Sequence, residues 1–176
     1  CWLMAATGLN AQTPVAYYPF SGNAKDLTSF ANNATVNAAT LTQDRFGWSN
    51  SAMAFDGVQA GVTAPNAPQL NSANTTVSFW IKVAALPAQG EAFVLSFGGW
   101  QERWKASVPA HGKLVFTTHS GGVCCSDMDS NTPLTVGAWT HVALVHDGTK
   151  DIIYFNGAKV NEKNVSGALD ATVHPL

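Results

Sequence analysis

Charged residues are scarce in this chain. Its 176 residues include 9 Lys and Arg against 11 Asp and Glu, so the formal net charge is −2 and the charged fraction is 11%, well below the usual quarter of a soluble domain. Such a balance provides no strongly basic or acidic surface for nucleic acid or an anionic membrane. No apolar run approaches the roughly 20 residues of a membrane-spanning helix. We therefore expect neither a nucleic-acid-binding protein nor a transmembrane segment.

Paired acids and catalytic motifs are also lacking. Glycoside hydrolases with a β-sandwich place two carboxylates about 5–9.5 Å apart around the scissile bond. Glu91, Glu102 and Glu162 are the only glutamates, and none of them lies two residues from another acid on a predicted strand. The nucleophile-elbow pattern G-x-S-x-G does not occur either. The sequence therefore predicts a protein that is not an enzyme.

The first residues lack the character of an ordinary start. The chain begins with Cys1 rather than Met, and residues 1–11 are apolar and rich in small side chains before Gln12. This pattern indicates the remnant of a secretory signal peptide. The alternative is a buried N-terminal strand, which Gly8 and Asn10 would interrupt. We expect a secreted or cell-surface protein with its folded domain over residues 12–176.

Only two cysteines remain once that segment is set aside. Cys124 and Cys125 are adjacent, so they form either a vicinal disulfide or two free thiols, and they cannot join distant strands. Adjacent cysteines rarely ligate one tetrahedral ion, so a zinc site that combines them with His111 and His119 is not expected.

Period-two patterning between tight turns is abundant, by contrast. The runs 140–145 and 151–155 are apolar and β-branched, and they are followed by Asp147-Gly148 and Asn156-Gly157, dipeptides that favour hairpin turns. Further strands are predicted over 15–20, 34–41, 51–55, 75–83, 93–97, 103–108 and 114–118, with long loops over 21–33, 44–50 and 120–133. Turns that recur about every 8–12 residues without helical periodicity predict an all-β, two-sheet antiparallel sandwich.

Four blocks of sequence carry a family resemblance. They are VAYYPFSGNAKD from Val15, SAMAFDGV from Ser51, TVSFWIK from Thr76 and GAWTHVALVHDGTKDIIYFNGAKV from Gly137. In this order and spacing they resemble the laminin-G-like, concanavalin A-like jelly-roll modules of secreted bacterial proteins. The resemblance runs from about Val15 to the end and implies a jelly-roll sandwich.

The resemblance also implies strands beyond the end of this sequence. Modules of the family continue into a closing segment with an Ile-Asp pair and a final strand beside the first, whereas this chain stops at Leu176. We expect a domain that lacks its last strands. The strand predicted at 15–20 would then present an unpaired edge to protein partners.

An aromatic and polar cluster at residues 100–105 predicts a ligand site. Aromatic faces stack on the apolar faces of sugar rings, while nearby polar groups fix the hydroxyls. Trp104 alternates with core positions, whereas Trp100 follows Gly98-Gly99 and is expected to be exposed. The alternative is that Trp100 only caps the sandwich. The predicted ligand contacts are Trp100, Gln101, Arg103 and His119, with Trp80 and Lys82 as a second set.

Calcium is the one metal for which the sequence offers candidate donors. Residues 127–131 imitate the opening of a calcium loop, but Thr132 and Ala138 stand where an EF-hand has Gly and Glu. Asx-turns in a long loop are favoured. The family resemblance leaves a laminin-G-like calcium site, with Asp127 or Asp129 as donors. No other cofactor is expected.

These observations predict a non-catalytic, extracellular, lectin-like carbohydrate-binding module of a larger protein. The alternative is a structural or adhesive module that contacts protein and has no sugar site. An exposed Trp with convergent hydrogen-bonding groups would favour glycan, and a flat apolar patch would favour protein.

Overall fold

The computed structural model describes residues 13–98 and 101–176. The signal-peptide prediction for residues 1–11 lies outside them. Within the described residues, one short 3-10 turn at Pro68–Leu70 is the only helical element, and no helix is long and apolar enough to cross a membrane. The strands are β1 (Thr35–Asn37), β2 (Thr40–Thr42), β3 (Ala52–Ala54), β4 (Gly61–Thr63), β5 (Thr75–Lys82), β6 (Glu91–Phe97), β7 (Trp104–Pro109), β8 (Lys113–Ser120), β9 (Val123–Pro133), β10 (Trp139–His146), β11 (Lys150–Phe155) and β12 (Ala158–Asn164).

Two four-stranded antiparallel sheets form the sandwich. Sheet 1 has the order β12-β11-β10-β5, and sheet 2 has the order β6-β7-β8-β9. Two smaller pairs, β1 with β4 and β2 with β3, come from residues 35–63. The prediction of an all-β, two-sheet jelly-roll sandwich is confirmed.

Alternation along the strands builds the core from both sheets. In sheet 1, Phe79 pairs with Val142, which pairs in turn with Phe155, so the three side chains share the inner face. In sheet 2, Trp104 is buried and its ring meets the Phe97 ring edge-on at 6.3 Å between centroids. Each fully buried side chain of this kind contributes about 1.5–3 kcal/mol. The prediction of Trp104 as a core residue is confirmed.

A charged network lies inside this core. His146 Nδ1 is 2.7 Å from Asp151 Oδ1, and Thr118 donates from Oγ1 to Asp151 Oδ2 at 2.6 Å. The side chains of His146 and Asp151 are completely buried. Because Thr118 belongs to sheet 2 and the other two residues belong to sheet 1, the network ties the two layers together.

The long loop predicted over 120–133 is wrong, because β9 occupies Val123–Pro133. Only Met128 supplies a large apolar side chain to the core there, so the apolar alternation that marks a strand is absent. Backbone pairing with β8 defines β9, and β12 side chains hold its other edge: Asn161 and Lys163 donate to the main-chain oxygens of Asp129 and Asp127 at 2.7 and 3.0 Å.

The strand predicted at 15–20 is also wrong. The segment is irregular, the Tyr17 main-chain N–H donates to the Asp26 carboxylate at 3.0 Å, and Phe20 has φ 56°. A residue with positive φ leaves the extended conformation that a strand requires. An edge strand at 15–20 therefore does not exist in this structure, and the edge strands of sheet 1 are β12 and β5.

Candidate functional site

The residues predicted as ligand contacts do not form one surface. Trp100 lies outside the described residues. Gln101 is exposed in the turn that precedes β7. Trp80 and Lys82 lie on the outer face of sheet 1, which is a different sheet. Arg103 and His119 are placed close to the C-terminal segment, and each has protein partners.

Arg103 is buried and binds main-chain oxygens within the protein. Its side chain is completely buried, and Nη1 and Nη2 donate to the main-chain oxygens of Asp170 and Ser72, both at 2.6 Å. A third bond reaches the oxygen of Leu70 at 3.1 Å. Burial lowers the pKa of Arg103, and the nearby Asp170 charge opposes this effect. The prediction of Arg103 as a ligand contact stays a prediction, but its fully buried side chain uses both terminal nitrogens within the protein.

His119 also binds the C-terminal segment. Its Nδ1 is hydrogen-bonded to Asp170 Oδ2, and its main-chain oxygen accepts from the Asp170 N–H at 3.0 Å. The His119 side chain is only 18% exposed. One ring nitrogen is thus committed within the protein.

An exposed aromatic cluster lies around Trp80. We name the five side chains Arg45, Phe46, Trp48, Trp80 and His141 the aromatic platform. The Arg45 guanidinium carbon lies 4.5 Å from the Trp80 ring centroid and 4.1 Å from that of Phe46. The rings of Phe46 and Trp48 are 5.3 Å apart, as are those of Trp80 and His141. The platform therefore joins the loop before β3 to the outer face of sheet 1.

A tight turn presents the two rings of the loop. The Asp44 carboxylate accepts the main-chain N–H groups of Phe46 and Trp48 at 2.9 and 3.0 Å. Gly47 has φ 83°, a conformation that a glycine adopts without a steric penalty, and its N–H donates to the main-chain oxygen of Asp44 at 3.1 Å. Asp44 thus holds the backbone of the turn, and the side chains of Phe46 and Trp48 are 62% and 67% exposed.

Lys82 continues this surface along β5. It pairs with Trp139 in the register that pairs Trp80 with His141, and its Nζ lies 5.4 Å from the Trp139 ring centroid. The structure thus places the predicted residues Trp80 and Lys82 on one face with further aromatic and imidazole rings. Sequence reasoning missed Arg45, Phe46 and Trp48 because it treated 44–50 as a plain loop. The signal that could have found them is the Asp-x-x-Gly turn at residues 44–47, whose glycine has an aromatic residue on each side.

The outer face of sheet 2 carries a more polar arrangement. Glu91 forms an ion pair with Lys105 and accepts from Ser107 Oγ at 2.6 Å. Burial by itself would raise the pKa of Glu91, but the hydrogen bonds from Lys105 and Ser107 outweigh it and lower the pKa. Lys105 Nζ also lies 4.7 Å from the centroid of the exposed Phe93 ring. These groups satisfy one another within the face.

The predicted calcium donors are engaged on the same sheet. Asp127 accepts from Thr117 Oγ1 at 2.5 Å, and Asp129 Oδ2 lies 3.8 Å from His111 Nε2. In the described part of the chain, no three His, Cys, Asp or Glu side chains converge as metal ligands do. The alternative left open for the cysteines is resolved, because Cys124 and Cys125 form a disulfide.

Comparisons with known proteins agree with this architecture. Residues 56–176 match the family model of the concanavalin A-like lectin/glucanases superfamily. Domain 4 of AbnA, an extracellular arabinanase from Geobacillus stearothermophilus solved with arabinotriose, aligns with a TM-score of 0.66 and 19% identity over 91% of this chain and 79% of that one. The sequence has no match among curated proteins.

Two further structures share the fold. The binding domain of botulinum neurotoxin DC, solved in complex with SialylT, aligns with a TM-score of 0.65 and 15% identity, over 86% of this chain and 39% of that chain. An S-layer domain-containing protein from Clostridium thermocellum aligns with a TM-score of 0.50 and 26% identity, over 86% and 73% of the two chains.

Proposed function

Because this chain belongs to the concanavalin A-like lectin/glucanases superfamily, we propose that it is a non-catalytic carbohydrate-binding module of an extracellular protein. The aromatic platform is its glycan-binding surface. The observation that carries the proposal is the exposed Trp48 ring beside an arginine that two other rings hold in place. The arabinotriose bound to the AbnA domain supports the class of ligand and does not identify the sugar.

The platform supplies the two elements that sugar recognition needs. The face of Trp48 is open to stack on the apolar side of a pyranose or furanose ring. Arg45 has five N–H donors in a rigid fork, and its contacts with Phe46 and Trp80 restrict it to one place before any ligand arrives. Preorganised donors lose less entropy on binding.

Charge narrows the class of glycan. Arg45 and Lys82 are the cations on or beside the platform, and the Asp44 carboxylate is turned toward backbone N–H groups. A neutral or anionic sugar therefore meets donors on this surface, whereas an amino sugar would meet like charge.

A glycan array followed by calorimetric titration of the best ligand tests the proposal. Trp48→Ala removes the stacking ring, and we expect its dissociation constant to rise at least about tenfold, which corresponds to about 1.4 kcal/mol. Phe93→Ala is the matched control, because Phe93 is also an exposed aromatic residue but lies on sheet 2. The bound oligosaccharide should be recovered uncleaved.

Two outcomes contradict this assignment. If Phe93→Ala abolishes binding and Trp48→Ala does not, the ligand lies on the outer face of sheet 2. If no glycan binds, the carbohydrate-binding function itself fails.

Adhesion to protein is the second candidate function. Ten of the sixteen exposed large hydrophobic side chains in the described part of the chain lie between Val15 and Val58 in sequence, and a contiguous apolar patch formed by those outside the platform would favour contact with protein. If protein contact is the function, Phe30→Asp with Val58→Asp should abolish binding to protein-coated surfaces. Trp48→Ala should then have no effect.

A further inference from the structure

The disulfide of residues 124–125 occupies an irregular point in the β8–β9 hairpin. On one side of it Ser120 pairs with Val123, and on the other side Thr118 pairs with Ser126. One residue of β8 therefore stands opposite two residues of β9. This is the arrangement of a β-bulge, in which the extra residue changes the local direction of the strand.

The β8 residue opposite the bulge is His119, which binds the C-terminal segment. The Asp170 carboxylate is hydrogen-bonded to the His119 ring and also accepts the Gly122 main-chain N–H at 3.1 Å. The Gly121 N–H donates to the main-chain oxygen of Ala168 at 3.0 Å. We name this set of contacts between residues 119–122 and 168–170 the terminal clasp. The tip of the hairpin thus holds the C-terminal segment through the residues that adjoin the disulfide.

We propose that the Cys124–Cys125 disulfide is a modification site that dithiol reductants open in the folded protein, and that its opening loosens the terminal clasp. Cys124 is exposed at the surface and Cys125 is half-buried, so an incoming thiolate reaches Cys124 first. This inference concerns the hairpin alone and does not depend on glycan binding.

The chemistry is thiol–disulfide exchange. A thiolate of the reductant attacks Cys124 Sγ, the S–S bond breaks, and its electron pair leaves on Cys125 Sγ, which takes up a proton. The second thiol of the reductant loses its proton and attacks the mixed disulfide, which releases Cys124 as a thiolate that is then protonated. The protein gains two electrons and two protons, and the reductant leaves as a cyclic disulfide.

The bulge explains why the clasp should respond. Cys125 has φ 70°, a left-handed conformation that non-glycine residues seldom adopt. The ring that the disulfide closes includes the peptide bond between the two cysteines, so the backbone there is restrained. Once the ring is open, Cys125 regains access to the extended conformation of a regular strand. Its return would shift the hairpin tip and move Gly122 and His119 away from Asp170.

The test uses a Cys1→Ser variant, so that only the adjacent pair reports. Maleimide labelling with mass spectrometry should find no thiol before dithiothreitol treatment under native conditions and two thiols after it. Phenylarsine oxide should then add once to the reduced protein with loss of one water, because a vicinal dithiol binds one trivalent arsenic. Amide hydrogen exchange at Gly121 and Gly122 should accelerate at least tenfold, while Leu144 in β10 stays protected.

The reductant-independent control is the Cys1→Ser background with Cys124→Ser and Cys125→Ser. It should show fast exchange at both glycines whether or not dithiothreitol is present. The proposal is overturned if the two thiols appear only when Leu144 also loses protection, because reduction would then require global unfolding. It is equally overturned if the reduced, folded protein exchanges Gly121 and Gly122 at the rate of the oxidised one.

Discussion

The buried His146 network makes a prediction about stability and pH. His146 Nδ1 faces the Asp151 carboxylate, and Nε2 lies 3.0 Å from the main-chain oxygen of Gly167. Both partners are acceptors, so both ring nitrogens can donate when the imidazole is protonated. Burial alone lowers the pKa of His146, but the hydrogen bonds to Asp151 and Gly167, with the charges of Asp151 and Asp147, raise it above 6.5.

The sign of the pH effect follows from that raised pKa. Between about 6.5 and the folded pKa, the native state binds a proton that the unfolded state has released, so the free energy of unfolding falls as pH rises. The stabilisation is fully present below about 6.5, which is the unfolded value. It is lost as pH rises through the folded pKa, with a slope of up to about 1.4 kcal/mol per pH unit.

Denaturant unfolding of the wild type and of His146→Gln, from about pH 5.5 to 9, measures this effect. The glutamine of this variant does not titrate, so the difference between the two free energies should shrink as pH rises. Asp151→Ala leaves the imidazolium uncompensated in the core, and we expect it to cost about 3–5 kcal/mol near pH 6. Parallel curves for the wild type and His146→Gln across the whole range would refute the assignment of a protonated, buried histidine.

Two other buried groups give shorter predictions. Arg103→Lys should lower the free energy of unfolding by about 3 kcal/mol. A single ammonium cannot bind both main-chain segments at once, and hydrogen bonds to charged groups contribute about 1.5–3 kcal/mol each. Thermal unfolding measures the loss, and an unchanged melting temperature would contradict it. Asp26 accepts N–H groups from Tyr17, Thr28 and Asn32, which lower its pKa although burial opposes them. The contribution of the ionised Asp26 to stability is present above the unfolded pKa of about 3.9 and is lost as pH falls through the folded pKa. Asp26→Asn should therefore speed proteolysis of residues 15–33 at neutral pH, and its cleavage rate should approach that of the wild type in acid. Equal cleavage rates at neutral pH would argue against this role.

The strands of the core could be predicted from the sequence because their side chains alternate. The patterns of β5, β7, β10 and β11 each place apolar residues on the inner face, and the turn dipeptides end the strands where the structure does. β9 could not be predicted in this way, because Ser126 and Ser130 share its inner side with Met128. Its stability comes from backbone pairing and from side chains of β12, which no local pattern reports.

The candidate site was harder to predict than the fold. Alternation predicts that Trp80 and Arg103 lie on the face of their predicted strands opposite to the apolar residues. It does not predict which sheet those faces belong to or what covers them. Arg103 meets main-chain oxygens contributed by residues 70–72 and 169–170, which are distant in sequence. Trp80 meets Arg45 from a loop 35 residues earlier. Both outcomes depend on tertiary contacts.

The scarcity of charge and the exposed aromatic platform have a common explanation in this fold. Several of the few charged side chains make contacts within the protein. Arg103, Asp151 and Asp26 are buried, and Lys105 forms an ion pair with Glu91. Charges committed in this way are not free to bind a partner. On the outer face of sheet 1 the platform presents rings, with Arg45 as the cation held between two of them. Recognition of a neutral glycan by such a surface should depend on ring stacking, so its affinity should change little with salt over the range that screens exposed ion pairs.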